Sequence, residues 1–188
     1  MNENPELAKS TPKKQNAGME ALDWLYCIVV AVSVMIFLCA FVIRPISVQG
    51  SSMEQTLKEN ELVMINKLAK SFNYGDIVVL RKESFMTAPI IKRVIATEGQ
   101  TIDIDFQEGV VYIDGAPLDE PYVNALTLDP EDFTEAVTVP EGCVFVMGDN
   151  RNRSTDSRSA RLGCVDERYI IGKVLFRFSP LNKFGRVA

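Results

Sequence analysis

The stretch TIDIDFQEGVVYIDG, residues 101–115, decides the fold class of this chain. Ile102 and Ile104 alternate with polar residues, which is the pattern of a β-strand that buries one face. Gly109 then marks a turn, and a second β-branched run begins at Val110. The sequence therefore predicts a β-hairpin with one face packed on a core.

Runs of the same kind recur on both sides of this hairpin, each bounded by glycine, asparagine or aspartate. Together with the hairpin they predict strands over residues 61–66, 76–80, 90–96, 101–105, 110–114, 143–147 and 170–178. No helical periodicity of comparable strength occurs after residue 45. We therefore predict a mainly β domain, built as a partly closed β-barrel or sandwich.

An apolar segment precedes the β-rich part. Residues 24–43, WLYCIVVAVSVMIFLCAFVI, carry no charge, and a helix of this length spans about 30 Å, the hydrocarbon thickness of a bilayer. A cleavable signal peptide would have a shorter apolar core and a small-residue cleavage site. A buried helix of this length without a charge is also unusual in a globular core. We predict one transmembrane helix over residues 22–43.

The remaining segments complete a simple domain plan. Residues 1–21 are polar and unpatterned, which predicts a disordered tail. Three lysines in that tail favour a cytoplasmic N-terminus, although Arg44 and Lys58 follow the span closely. Residues 44–188 would then form one domain outside the cytoplasm of a single-pass protein of the cell membrane.

Charge is segregated within this outer domain. Residues 94–150 contain thirteen Asp or Glu and no Lys or Arg, whereas residues 151–188 contain nine basic and three acidic residues. We interpret residues 101–142 as an acidic β excursion without a catalytic role, called the excursion below. The acidic balance also argues against nucleic acid as a partner.

The composition restricts the chemistry that the chain can perform. Among its 188 residues there is no histidine. This excludes a Ser-His-Asp triad, a Cys-His pair and every histidine-ligated zinc or haem site. A base for nucleophilic catalysis must therefore be a lysine, a carboxylate or a terminal amine, and we expect neither a metal nor a cofactor.

The four cysteines divide into two pairs. Cys27 and Cys39 lie in the apolar segment, where they behave as small apolar residues. Cys143 and Cys164 belong to the outer domain, where a disulfide is chemically allowed. The sequence leaves open whether these two form a disulfide or remain buried free thiols.

Two segments carry candidate reacting groups. In VQGSSMEQTL, residues 48–57, Ser52 is flanked by small residues, as a nucleophile with an exposed hydroxyl requires. In IIKRVIATEG, residues 90–99, Lys92 interrupts an apolar strand, and burial there would lower its pKa and make it a base. Taken singly, Ser52 is better explained as an ordinary loop serine, and Lys92 as a lysine on an exposed strand face.

A third segment, VFVMGDNRNRSTDSR, follows residues 144–158. An apolar strand runs there into a loop with two carboxylates and three arginines. Isolated buried charges are costly, so this density of charge after a core strand predicts buried Asp-Arg pairs. A solvated turn explains only the first three residues of the loop.

The ordered set of these motifs resembles the bacterial type I signal peptidases in their single-span form. The resemblance is carried by G-x-S-M-x-x-T-L over Gly50 to Leu57, Tyr74-Gly75-Asp76, K-R-V-I over Lys92 to Ile95, and G-D-N-R-x-x-S-x-D-S-R over Gly148 to Arg158. It extends from the apolar segment to Lys173. A fold of the signal-peptidase type is therefore expected.

The resemblance implies a Ser/Lys dyad. Ser52 would attack the scissile carbonyl, and neutral Lys92 would take its proton. Some family members hold the oxyanion partly with a hydroxyl two residues before the nucleophile, where this chain has Gly50. The oxyanion hole would therefore use backbone N–H groups, at Ser52 and around Gly50.

The resemblance also implies supporting roles. Ser154 would hydrogen-bond and orient the Lys92 amine. Arg93, Asp156 and Arg158 would form an ion-pair network beside the base, and Asp149 would be structural.

Substrate and partners follow from the same resemblance. The expected substrates are secreted preproteins with signal peptides, bound as an extended strand and cut after small residues of the Ala-X-Ala type. The lipid bilayer would be the second partner, because it holds both enzyme and substrate.

Two positions depart from the family pattern. Gln55 stands where proline or serine is usual, and Glu98 stands where a proline is usual. Neither residue supplies or removes a reacting group, so we still expect catalysis. These departures are the best support for the alternative, a membrane-tethered module of the same fold that binds peptides or acts as a scaffold without catalysis. The Ser/Lys pair also resembles that of self-cleaving repressors, but those carry a DNA-binding domain where this chain has an apolar segment.

Overall fold

A computed structural model describes residues 17–187 in two compact units, one reaching Leu38 and one beginning at Cys39. In the first unit, helix α1 runs over Ala17–Phe37. A π-type helix, Leu38–Val42, follows it and belongs to the second unit from Cys39 onward. Within the described residues one helical segment, Gly18–Val42, is long and apolar enough to cross a bilayer.

Helix α1 begins earlier than the predicted start at residue 22. The residues AGMEA before that point are mostly good helix formers, so the helix extends into the stretch predicted as tail. The rest of that predicted tail, residues 1–16, lies outside the described residues. The side chains of the helix are exposed along residues 18–37, although most of them are apolar.

The second unit is mainly β, as predicted. Its strands are β1 Ile43–Ser47, β2 Leu62–Asn66, β3 Ile77–Leu80, β4 Ile90–Thr97, β5 Thr101–Asp105, β6 Val110–Ile113, β7 Ala116–Pro117, β8 Val137–Thr138, β9 Cys143–Met147, β10 Val165–Asp166 and β11 Ile170–Ser179. All seven predicted strands are present.

Seven of the strands form one antiparallel sheet in the order β1-β2-β11-β3-β4-β9-β10. The long strand β11 pairs with β2 through one part and with β3 through another, with register shifts along it. Such bulges bend a strand and increase its twist, so the sheet curls into a half-barrel whose edge strands are β1 and β10.

Strand β1 was not predicted, and its position explains why. Pro45 lies in its middle, opposite Met64 of β2. Proline lacks an N–H for the ladder and is tolerated in sheets mainly on edge strands. Strand β1 is such an edge strand, so its sequence does not show the uninterrupted β-branched run of an inner strand.

The predicted hairpin forms strands β5 and β6 of a second, four-stranded sheet in the order β7-β6-β5-β8. Ile102 lies opposite Ile113 and Ile104 opposite Val111, and both isoleucines are buried, which confirms the one-faced pattern. Gly109 makes the turn with a φ of +71°, and a Cβ there would come 2.5 Å from Cβ of Leu126.

Three apolar clusters make up the core. The first covers one face of the large sheet and includes Met53 and Leu57 from the segment after Ser52. The second covers the other face through residues such as Val78 and Val146. The third joins the far end of the large sheet to the buried face of the small sheet, so both sheets belong to one domain.

Cys143 and Cys164 both contribute to the edge of the third cluster and are half-buried. Both carry free thiols, so of the two alternatives the structure shows the unbridged one. Burial raises the pKa of each thiol, which disfavours the reactive thiolate.

Candidate active site

Ser52 lies in a short helical turn between β1 and β2. The N–H of Leu57 donates to the carbonyl of Met53 at 2.8 Å, and both side chains are buried in the first cluster. These two apolar anchors fix the turn on the sheet. Ser52 itself is half-exposed and Ser51 is exposed, so the hydroxyl of a nucleophile here stays accessible.

The backbone on both sides of Ser52 has left-handed φ values. Gly50 has a φ of +79°, and nothing lies within 4 Å of where its Cβ would be, so the space at this position, two residues before Ser52, is open. Gln55 has a φ of +108°. Because proline fixes φ near −65°, the proline usual in the family could not occupy position 55 with this backbone.

Lys92 lies in the middle of β4 and is buried, with 3% of its surface exposed. Its Nζ donates to Ser154 Oγ at 2.9 Å, and Ser154 Oγ donates to Asp156 Oδ2 at 2.7 Å. Burial lowers the pKa of Lys92 from 10.5 to about 8, against the opposing charge of Asp156. A sizeable neutral fraction near neutral pH is what a lysine base requires.

Gly148 lies between the Ser52 turn and Ser154, the hydrogen-bond partner of Lys92. A Cβ at Gly148 would overlap Ser154 Oγ and would come 2.5 Å from the carbonyl oxygen of Ser52. The N–H of Asn150 donates to the same Ser52 carbonyl at 3.0 Å. The backbone of Ser52 and the hydrogen-bond partner of Lys92 therefore flank one glycine that has no room for a side chain.

Arg93 has a different partner from the one that the sequence indicated. Its Nε and one terminal nitrogen each donate to the Asp149 carboxylate at 2.8 Å, and both residues are buried. The prediction placed Arg93 with Asp156 and Arg158 and gave Asp149 only a structural role. Successive strand residues point to opposite faces, so Arg93 and Lys92 project from opposite faces of β4.

Asp156 and Arg158 form a second buried ion pair. Arg158 Nε donates to Asp156 Oδ1 at 2.9 Å, and the Gly148 N–H donates to Asp156 Oδ2 at 3.0 Å. Burial alone would raise the pKa of Asp156, but the hydrogen bonds and charge of Arg158 outweigh it and hold that pKa below its ordinary value. Asp156 is therefore a stable anionic acceptor for Ser154.

Arg151 is a buried residue of this region that the sequence reading did not assign. It binds the Glu120 carboxylate through two nitrogens, and it donates to Thr127 Oγ1 at 3.0 Å and to the Gly148 carbonyl at 3.1 Å. The sequence feature that could have indicated its burial is its position in the charged run that follows β9. Its partner Glu120 belongs to the excursion, where no periodic pattern identifies it.

Further bonds tie the excursion to the loop that carries Ser154. The Asn152 carboxamide accepts from the N–H of Leu128 at 3.1 Å, and Arg158 donates to the Asp129 carbonyl at 2.6 Å. Asp132 accepts from the Ser159 hydroxyl at 3.1 Å. The excursion is therefore in direct contact with the residues around the candidate base.

A tyrosine from the excursion also reaches Arg93. The guanidinium carbon of Arg93 lies 3.9 Å from the centre of the Tyr122 ring, a cation–π distance. Burial raises the pKa of Tyr122, so its hydroxyl stays protonated and donates to Glu120 at 2.9 Å. At the other departure from the family pattern, Glu98 accepts from the Gly142 N–H at 2.8 Å. This hydrogen bond joins the turn after β4 to the turn before β9.

The chain has clear relatives among known proteins. The family model described as "Signal peptidase, peptidase S26" matches residues 21–179. The chain is 37% identical to a Synechocystis protein named "Probable signal peptidase I-1", over 85% of this chain and 83% of that protein. It is 34% identical to the signal peptidase I of Bacillus licheniformis, over 93% and 95% of the two chains. It is 32% identical to the signal peptidase IB of Staphylococcus aureus, over 88% and 93%. These matches show that the chain belongs to the S26 family of signal peptidases.

Proposed function

We propose that this protein is a membrane-bound serine endopeptidase that removes N-terminal signal peptides from exported preproteins with a Ser52/Lys92 dyad. The observation that carries the proposal is the Lys92 amine, buried, hydrogen-bonded to Ser154 and with a pKa lowered to about 8. No histidine is available in the sequence to act as the base in its place.

In the first half of the reaction, neutral Lys92 takes the proton of the Ser52 hydroxyl as Oγ attacks the scissile carbonyl carbon. Backbone N–H groups at Ser52 and around Gly50 stabilise the oxyanion. The intermediate collapses to an acyl-serine, and the proton on Lys92 passes to the leaving amine, the new N-terminus of the mature protein.

In the second half, Lys92 takes a proton from water, and the resulting hydroxide attacks the acyl-serine. The bond to Ser52 Oγ breaks, and Ser52 takes back the proton that Lys92 holds. The new carboxylic acid of the signal peptide releases the second proton of the water to solvent and leaves as a carboxylate. Through both halves Ser154 and Asp156 keep the amine oriented without exchanging protons. Glycine at position 148 lets Ser154 approach the Ser52 segment.

The substrate class follows from the site and from the names of the relatives. An extended preprotein segment would add to a sheet edge beside the Ser52 turn, with small side chains such as Ala one and three residues before the cut. The apolar segment Gly18–Val42 would hold the enzyme at the bilayer, with the β domain outside the cytoplasm. Tethering enzyme and substrate to one membrane raises their effective concentration.

The test is Ser52→Ala in the detergent-solubilised full chain, assayed on a preprotein with an Ala-X-Ala cleavage site. Cleavage should fall to background, because the nucleophile is lost. Ser51→Ala is the matched control, since it removes an exposed hydroxyl from the neighbouring residue and should leave cleavage nearly unchanged. Unaltered cleavage by the Ser52 variant would reject the mechanism. Absence of cleavage by the unmodified chain, with retained peptide binding, would favour the non-catalytic module.

A further inference from the structure

Glu131 belongs to the excursion but lies against Asp156, the residue that binds the Ser154 partner of Lys92. Its carboxylate accepts a long hydrogen bond, 3.4 Å, from the backbone N–H of Asp156. Asp156 in turn accepts from Ser154, which accepts from Lys92. Glu131 is therefore the next group outward in a continuous series of contacts that begins at the base.

The backbone around Glu131 is arranged to present it there. Its φ of +48° is left-handed, a conformation that is unfavourable for a residue other than glycine. Its own N–H donates to Asp129 Oδ1 at 3.1 Å. On either side, the Asp129 carbonyl accepts from Arg158, and Asp132 accepts from Ser159. A strained residue held by contacts on both sides is typical of a functional position.

Four charged side chains act on Lys92 besides its own burial. Asp156, Glu131 and Asp149 are anionic and favour the ammonium, whereas Arg158 disfavours it. Asp149 is already neutralised by a bidentate arginine, and Asp156 is paired with Arg158. Glu131 is half-buried, and burial together with the neighbouring charge of Asp156 raises the pKa of Glu131, whereas the charge of Arg158 opposes that shift.

We propose that Glu131 is a positioning residue for Lys92. Glu131 holds Asp156, and through it Ser154, in place from the outer side, and its negative charge favours the protonated Lys92 amine. This inference rests on the proposed role of Lys92. It also assigns part of the reaction machinery to the excursion, which the sequence had indicated to be non-catalytic.

The test is Glu131→Gln, which keeps the shape and the acceptor oxygen but removes the charge. The loss of one anionic charge should lower the pKa of Lys92. The acid limb of the pH profile of kcat/KM should therefore shift to lower pH by about 0.5 to 1 pH unit. Glu135→Gln is the matched control, because Glu135 is an exposed glutamate of the same loop. The control should leave the limb where it is.

A purely structural role predicts the opposite sign. If the loop merely loosened and water reached Lys92, the pKa of Lys92 would rise towards 10.5 and the acid limb would move up. An unchanged limb or an upward shift in Glu131→Gln overturns the proposal. If that variant does not fold, Glu131→Met carries the same test, because methionine removes the charge but fills a similar volume and keeps water out, so the same downward shift is expected.

A second readout separates this inference from the proposed function. The titration of Lys92 is followed by NMR on the full chain with labelled lysine, compared between the unmodified protein and Glu131→Gln. A lowered pKa in the variant supports the role of Glu131 even if Ser52→Ala were to show that cleavage does not use the dyad. An unchanged pKa overturns it, even if cleavage proves to depend on Ser52 as proposed.

Discussion

Replacing Lys92 by methionine is expected to abolish cleavage and at the same time to stabilise the protein at neutral pH. The pKa of this lysine falls from 10.5 in the unfolded chain to about 8 in the folded protein. At about 1.36 kcal/mol for each pKa unit, holding the lysine protonated in the folded state costs about 3 kcal/mol. Methionine has a similar length, fills the same space and carries no charge.

Part of this gain is lost again. Methionine cannot donate to Ser154, and a lost hydrogen bond costs about 1 kcal/mol. The net increase in the free energy of unfolding should therefore be about 2 kcal/mol near neutral pH. Because the folded pKa lies below the unfolded one, the lysine penalty is complete below about pH 8 and disappears as the pH rises to 10.5. The advantage of methionine should vanish over that window.

The assay is urea unfolding of the detergent-solubilised chain, measured at several pH values from neutral to alkaline. Lys70→Met is the control, since Lys70 is exposed and its replacement should change stability little. A Lys92→Met protein that is less stable than the unmodified chain at neutral pH would refute the reasoning. So would a stability gain that stays constant across the titration window.

Three further outcomes are expected. With a pKa of about 8 for Lys92, kcat/KM should rise about tenfold between about pH 7 and 9 and then level off, whereas an ordinary lysine would give a rise of about a hundredfold that continues. Gly148→Ala should strongly reduce cleavage and also lower the thermal stability, because the added Cβ overlaps Ser154 and crowds the Ser52 carbonyl; a kinetic assay and a thermal unfolding curve measure the two effects. Arg151→Met should lower the free energy of unfolding by about 3 kcal/mol, because it leaves a carboxylate of the excursion without its partner; an unchanged urea midpoint would contradict this.

The strands could be predicted because their residues are buried in a regular way. In β5 the buried isoleucines alternate with polar residues, of which Asp103 is exposed and Asp105 half-buried. Strand β9 is buried along Val144 to Met147, so hydrophobic pattern and structure agree. The strands that were not predicted are either only two residues long or, like β1, contain a proline at the sheet edge. Neither kind leaves a periodic signal.

The ion pairs could be predicted as a class but not as partners. The density of charge after β9 indicated buried Asp-Arg pairs, and such pairs are present. That Arg93 would bind Asp149 follows from strand alternation only once Lys92 is placed on the other face. The partner of Arg151 is Glu120, 31 positions earlier in the chain, and only the fold brings them together.

The contacts between the excursion and the loop that carries Ser154 bear on attempts to shorten this enzyme. Deleting residues 101–142 would uncover Arg151 and take the Asp129 carbonyl away from Arg158, two guanidinium groups that are otherwise enclosed. A minimal version would have to supply replacement acceptors at both places, or exchange both arginines for apolar residues.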